Sequence, residues 1–440
     1  MDKELTELAH WCLKKVKIAG ASDCSLLVRS ERFVNISYRD RKPENIKEAS
    51  TRELSLEVYA AGRYSVQQTS DLRREPLEKF IDEAVAMTKL LDPDPYRTLP
   101  DPVYFRKIPS LDLRLVDPDY SHLTPERRHE IVKAIEAASL EAARARVISV
   151  TAGEYDAAEE YLLLKSNGFE GQQKGTVIQM GASVTLQDAG DRRPSDGDYR
   201  VAVRFQNLPQ PEEIGQRAAE RTRFLLGAKK LRTEKLPVII ENRNVATLLR
   251  GFLAAMSGSN IQQKRSCLAD KKGQRVGSTH FTLIDDPFIP EALGSRLFDG
   301  DGMAAQKRVM VESGVLKEFF VDWYYSRKLG WKPTTASPSN LVIPPGKRGI
   351  EEIMKDLGRA IFITGFIGGN FNPTTGDFSI GIFGQLFERG GPVQAIAEMN
   401  IAGNHLQLWH QLIEVGNDPW VWSPLRTPSL VFEGIIVSGL

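Results

Sequence analysis

The sequence predicts an α+β protein, with an N-terminal α/β sandwich-like region followed by a strand-rich C-terminal domain. Three observations carry this expectation. Apolar residues recur at helical spacing near the start, they alternate at period two soon after, and strand-like runs separated by glycine turns dominate the C-terminal half. The first helix carries Leu5, Leu8, Ala9, Cys12, Leu13 and Val16 on its apolar face, within the charged, amphipathic stretch Met1 to Gly20, and Gly20 closes it. Leu54, Leu56, Val58 and Ala60 alternate with Ser55, Glu57 and Tyr59, so one face of that strand is buried. Ala61-Gly62 turns into a second strand ending near Gln68, and Leu77, Phe80, Ile81 and Ala84 then share one face of a helix.

Leu91 to Asp117 breaks the pattern. Pro93, Pro95, Pro100, Pro102 and Pro109 remove backbone donors and disfavour helix in the residue before them, which predicts an extended connection. A helix starts at Thr124 as cap, with Pro125 at its first position, and runs to about Arg146. Strands follow from Val147 to Phe205, with a hairpin at Asn167-Gly168, and Pro211 opens a helix that ends near Gly227. The last region opens with the apolar strand Val238 to Ile240, continues with a helix from about Val245 to Met256, and closes on the buried strand Ile435 to Val437. The expected division is 1–112, 113–230 and 231–440, which agrees with a length of 440 residues, about three domains' worth.

Composition excludes several function classes. The formal net charge is +1 and no like-charge block stands out, which argues against a general grip on nucleic acid or an acidic membrane. The three cysteines, Cys12, Cys24 and Cys267, form no Cys-x-x-Cys pair and suit a reducing compartment. The N-terminus lacks the order of a signal peptide, and no run approaches the roughly 18 apolar residues of a membrane helix. The expectation is a cytoplasmic protein with no membrane partner.

Motifs for chemistry are sparse. There is no Gly-x-Ser-x-Gly elbow. His129-Glu130 has alanine at position 134, where a zincin helix needs its second histidine, so a solvated helix residue is the expected state of His129. His405 and His410 fall on an expected helix from Asn404 to Val415, five residues apart and off a shared face, whereas His410 and Glu414 share one. Arg265 beside Cys267 could depress its thiol pKa, although a buried, inert cysteine is the plainer reading. Gly365, Gly368 and Gly369 are followed by Asn372-Pro373, which is turn chemistry and not a phosphate-binding helix start. Asp299-Gly300-Asp301-Gly302 lacks the remaining ligands of a calcium loop and reads as a tight turn.

Several ordered motifs, taken together, resemble the TldD/PmbA (modulator of DNA gyrase) family. They are Gly294 to Gly302, Val311 to Lys317, Trp323 to Gly330, Thr375 to Ser379, Ile401 to Asn404, Val415 to Asp418 and Pro428 to Leu430. Gly20 to Ser22, Val58-Tyr59 and Thr69 to Leu72 agree more loosely. The resemblance implies a two-subunit cytoplasmic peptidase acting on unfolded peptides. In it a TldD-type subunit carries a His-Glu-x-x-x-His helix and a late cysteine as its zinc site, and a PmbA (TldE)-type subunit lacks them. The corresponding positions here are Arg250, Gly251 and Ala255, and no cysteine follows Cys267; around the expected late position the chain reads Trp420 to Pro424. None of these side chains can hold zinc, and no glutamate remains to activate water. The expectation is therefore a pseudoenzyme subunit with no cofactor. It would pair with a TldD-type catalytic chain, or form a homodimer when isolated, since the two subunit types are homologous. Asp299, Asp301, Gly376, Asp377, Ser379, Gly403 and Asn404 are the candidate cleft or peptide-binding residues, with a sheet-shaping turn as the plain alternative for Gly376 to Ser379. Arg250 would meet a substrate carboxylate or cover a helix face. The competing readings are a self-contained peptidase using another nucleophile such as Cys267, and a gyrase-related binding protein with no protease role.

Overall fold

The computed structural model describes residues 2–144 and 146–440. The first amphipathic pattern forms α1 (Lys3–Ile18), capped by the Asp2 side chain, with Leu5, Ala9, Cys12 and Val16 buried. Met1 lies outside the described residues. β1 (Asp23–Arg39) and β2 (Lys42–Ala60) make a long hairpin, and β3 (Arg63–Thr69) and α2 (Arg74–Thr88) follow. The proline-rich connection holds only short 3-10 turns. At the start of α3 (Pro125–Ala143) the Thr124 hydroxyl accepts from the Arg127 N–H, as the cap requires. The helix stops short of Arg146 because Arg144 swings to φ +59°; Ala145 lies outside the described residues. β4 (Val147–Lys165) turns through Gly168 at φ +96° into β5 (Glu170–Leu186), then come β6 (Ser195–Ala202) and α4 (Pro211–Arg223). The strand expected to reach Phe205 ends at Ala202. The Phe205 N–H leaves the ladder for the Asp117 carboxylate, 2.7 Å away.

These six strands form one antiparallel sheet in the order β3-β2-β1-β4-β5-β6. β1 pairs with β4 from Ser25↔Lys165 to Arg39↔Thr151, so the proline-rich connection joins two halves of a single sheet. The even-numbered side chains of β1 face the helices. Cys24, Leu26 and Val28 share a core with α1 and α2, while Val34, Ile36 and Tyr38 share another with α3 and α4. His129 is half-buried rather than fully solvated, and it bonds the Tyr38 hydroxyl at 3.0 Å.

The rest of the chain runs β7 (Glu234–Ile240), α5 (Asn242–Ala255), α6 (Gly258–Gln262), β8 (Leu283–Asp285), β9 (Arg308–Glu312), β10 (Val315–Leu316), α7 (Trp323–Leu329), β11 (Leu341–Val342) and α8 (Ile350–Leu357). It ends with β12 (Arg359–Phe371), β13 (Asp377–Glu388), β14 (Gly391–Asn404), α9 (His405–Leu408), β15 (Leu412–Val415), β16 (Leu425–Arg426) and β17 (Leu430–Ser438). A small sheet has the order β10-β9-β8-β11-β16. The larger sheet runs β14-β13-β12-β7-β17-β15, and β14 pairs again with β17, so five of its strands close on themselves. Closure removes the exposed edges that an open sheet would leave. The apolar face of α5, formed by Val245, Leu248, Leu249, Phe252 and Ala255, belongs to the same core as Ile240, Ile363, Ile382 and Phe432 of these strands.

The helix expected from Asn404 to Val415 is not formed. Only the four residues of α9 are α-helical, Trp409–Gln411 is a 3-10 turn, and Leu412–Val415 is β15. Glu414 therefore sits on a strand, opposite Val431, and shares no helix face with His410. Tertiary pairing with β17 overrode a helical pattern too short to hold by itself. Among the described residues no helix is long and apolar enough to cross a membrane.

Candidate functional site

The middle of α5 is packed shut. Gly251 has no side chain, and a Cβ built there would lie 2.8 Å from His405 Nε2 and 2.9 Å from the Phe371 ring. His405 is 2% exposed. Its ring lies 4.9 Å from Phe371 and 5.0 Å from Phe378, and its Nδ1 accepts from Trp409 Nε1 at 3.2 Å. Burial without a countercharge pushes its pKa down to about 4, so the ring is neutral at physiological pH. Behind it Phe252, Phe281 and Trp409 stack at 4.2 to 5.5 Å between centroids. Arg250 points out and is exposed, while Ala255 is buried.

Beside this plug lies the Thr375 to Ser379 motif. Asp377 accepts from Thr375 Oγ1 at 2.6 Å and from Asn404 Nδ2 at 2.8 Å, and those bonds, Thr375 first, hold its carboxyl below the usual range. Asn404 also donates to the Thr375 carbonyl at 2.8 Å and caps α9 through the Leu406 N–H at 2.9 Å. The His405 N–H donates to the Gly376 carbonyl at 2.8 Å, which ties motif and plug together. Gly376 takes φ +87°, and a Cβ there would meet Asn404 at 3.1 Å and Cys267 Sγ at 3.2 Å. Ser379 bonds Asn400 across the strand pair, and Gly403 pairs with Phe378.

Asp299 and Asp301 belong elsewhere. Asp299 is 4% exposed, and its carboxylate accepts from the N–H groups of Asp301, Met303 and Ala336. Asp301 accepts from the Trp323 N–H at 2.9 Å. Both carboxylates shape loops, and neither shares a hydrogen bond with the Thr375 to Asn404 group. The Cys267 thiol is raised, not depressed: burial is the main cause and the Asp377 charge adds to it. The neighbouring Arg265 does not activate it.

His405 and Phe371 were not legible as neighbours of Gly251, since each lies far from it in sequence. Only the four-residue spacing of His405 and Trp409 hinted at the contact between those two. Among the described residues, no group of three or more His, Cys, Asp or Glu side chains could hold a metal ion.

A closed five-stranded barrel that shares its core with α5, together with a six-stranded antiparallel sheet covered by helices, defines an α+β protein. Residues 118–226 match the PmbA/TldA metallopeptidase central domain, and residues 233–439 match the C-terminal domain of the same family. A protein from Bacteroides thetaiotaomicron, whose crystal structure carries the name modulator of DNA gyrase, is 36% identical, and the similarity spans 100% of both chains with a TM-score of 0.97. The metalloprotease PmbA of Escherichia coli O157:H7 is 26% identical over 96% of this chain and 93% of its own. TldE of Thermococcus kodakarensis, 24% identical over 98% of this chain and 100% of its own, has the same fold with a TM-score of 0.86. The chain belongs to the PmbA/TldD family.

The zinc that this family implies does not fit here. Arg250 is a fixed cation, Gly251 and Ala255 offer no donor atom, and the volume a glutamate would occupy at Gly251 is filled by His405 and Phe371.

Proposed function

We propose that this chain is the non-catalytic subunit of a cytoplasmic TldD/TldE-type metallopeptidase, shaping the chamber in which a TldD-type partner processes unfolded peptides. The observation that carries this reading is the plug. The helix that would present ligands and a general base instead presents Arg250, Gly251 and Ala255, and a neutral, buried imidazole occupies the adjacent space. The free state of Cys12, Cys24 and Cys267 supports a reducing compartment. Asp377, Ser379, Gly403 and Asn404, at one end of the β13–β14 pair, are proposed to border the peptide path.

The test uses the purified chain and a TldD-type chain from the same source. The expected result is no cleavage of an unstructured peptide by this chain alone, co-purification of the two, and cleavage by the pair that a chelator abolishes. Cleavage by this chain unaided would refute the proposal.

A further inference from the structure

The N-terminal end of α5 opens on a cleft of about 450 Å³ between β6, α4 and the barrel. Phe224, Phe362 and Phe387 contribute aromatic surface to its lining. The rest of the lining is largely charged, and most of its ions satisfy each other. Arg221 grips the Glu241 carboxylate with both terminal nitrogens and reaches the Thr364 carbonyl at 3.0 Å. Arg243 donates to the Gly197 carbonyl at 2.9 Å and to Asp198 at 3.3 Å.

Arg200 is different. It is 2% exposed, yet its two hydrogen bonds, to the Asp198 carboxylate and to the Tyr199 carbonyl at 3.3 Å, both leave from Nη1. Its Nε has no partner, and neither has Oδ2 of Asp198, which is 1% exposed. The guanidinium is held in place without those bonds, because its carbon lies 4.3 Å from the Trp420 ring and 4.5 Å from the Trp422 ring. A guanidinium packed against two indole rings and tethered at one terminal nitrogen keeps its Nε–Nη2 edge for a planar, bidentate acceptor. Two adjacent buried groups of opposite kind, one lacking an acceptor and one lacking a donor, are costly to leave unmade.

A single ligand answers both. A carboxylate takes the Arg200 edge, an N–H on the neighbouring carbon donates to Asp198 Oδ2, and an apolar side chain on that carbon rests on the phenylalanines. We infer that this cleft binds the α-carboxylate end of an apolar amino acid, either free or as the last residue of a peptide. All the groups involved belong to this chain and lie outside Arg250–Ala255, so the inference stands independently of the non-catalytic reading.

Titration of the full chain with N-acetylphenylalanine, N-acetylphenylalaninamide and phenylalanine, followed by calorimetry and by the fluorescence of the tryptophans, tests it. The acid should bind at least about tenfold more tightly than the amide, because only the acid offers a bidentate acceptor. Arg200→Lys should weaken the acid by at least about tenfold, since an ammonium keeps the charge but not the fork. Comparing acid with amide on the unaltered chain requires no variant to fold. Phenylalanine binding above its acetylated form would point to the free amino acid, and the reverse order to a peptide end; either supports the site. Equal affinity for acid and amide, or no saturation by any of the three at millimolar concentration, would mean that water alone fills the cleft and would overturn the inference.

Discussion

The two ends of α5 have opposite chemistry. Its middle is closed by aromatic rings and a neutral histidine, with no room for a side chain at Gly251. Its N-terminal end faces an open cleft lined by paired ions and by Arg200, whose Nε has neither a hydrogen bond nor an ion pair. The same helix thus serves as core in one place and as wall in the other. The contrast teaches that a helix position without a side chain does not leave a hole. Close packing tolerates few voids, so the space is taken over by neighbours that can be neutral and apolar.

The sharpest way to break this contrast is to empty the core end. Phe252→Ala, at 1% exposure and packed edge-to-face on Phe281 and Trp409, should cost about 3–5 kcal/mol in denaturant unfolding. Trp422→Ala, half-buried at the cleft, should cost less than half of that; equal losses would show that the two ends are packed alike.

Acid provides the next largest effect. The unfolded chain binds a proton on His405 near pH 6.5, whereas the folded chain binds it only near 4. His405 therefore leaves stability intact above pH 6.5 and removes about 3 kcal/mol progressively as the pH falls to 4. His405→Leu should flatten the stability curve across that window. Identical slopes for the two proteins would mean that the ring is not the neutral plug described above.

The smallest effect sharpens the steric claim. Gly251→Glu should destabilise by about 1–3 kcal/mol through overpacking against His405 and Phe371. Combining it with His405→Ala should recover part of the loss, a coupling expected of residues in contact. Strictly additive effects in the double-mutant cycle would remove His405 from the space above Gly251.

Most elements were legible because their signals are local. The Thr124-Pro125 helix start, the Asn167-Gly168 hairpin and the alternation from Leu54 to Ala60 each depend on a few consecutive residues, and each has its counterpart in the structure. The segment from Asn404 to Val415 misled, because a short helical pattern yielded to pairing between β15 and β17. At Cys267 the plainer of the two readings agrees with the structure: Arg265 is its neighbour in sequence, but burial and Asp377 set its environment.

The sequence by itself determined the α+β class, the family motifs and the residue types at Arg250, Gly251 and Ala255, since these follow from residue identities and short spacings. Only the tertiary structure decided that one sheet spans the proline-rich connection, that His405 and Phe371 fill the space at Gly251, and that Arg200 packs against the Trp420 and Trp422 pair. Those facts depend on contacts between residues distant in the chain, and no local periodicity encodes which distant surfaces will meet.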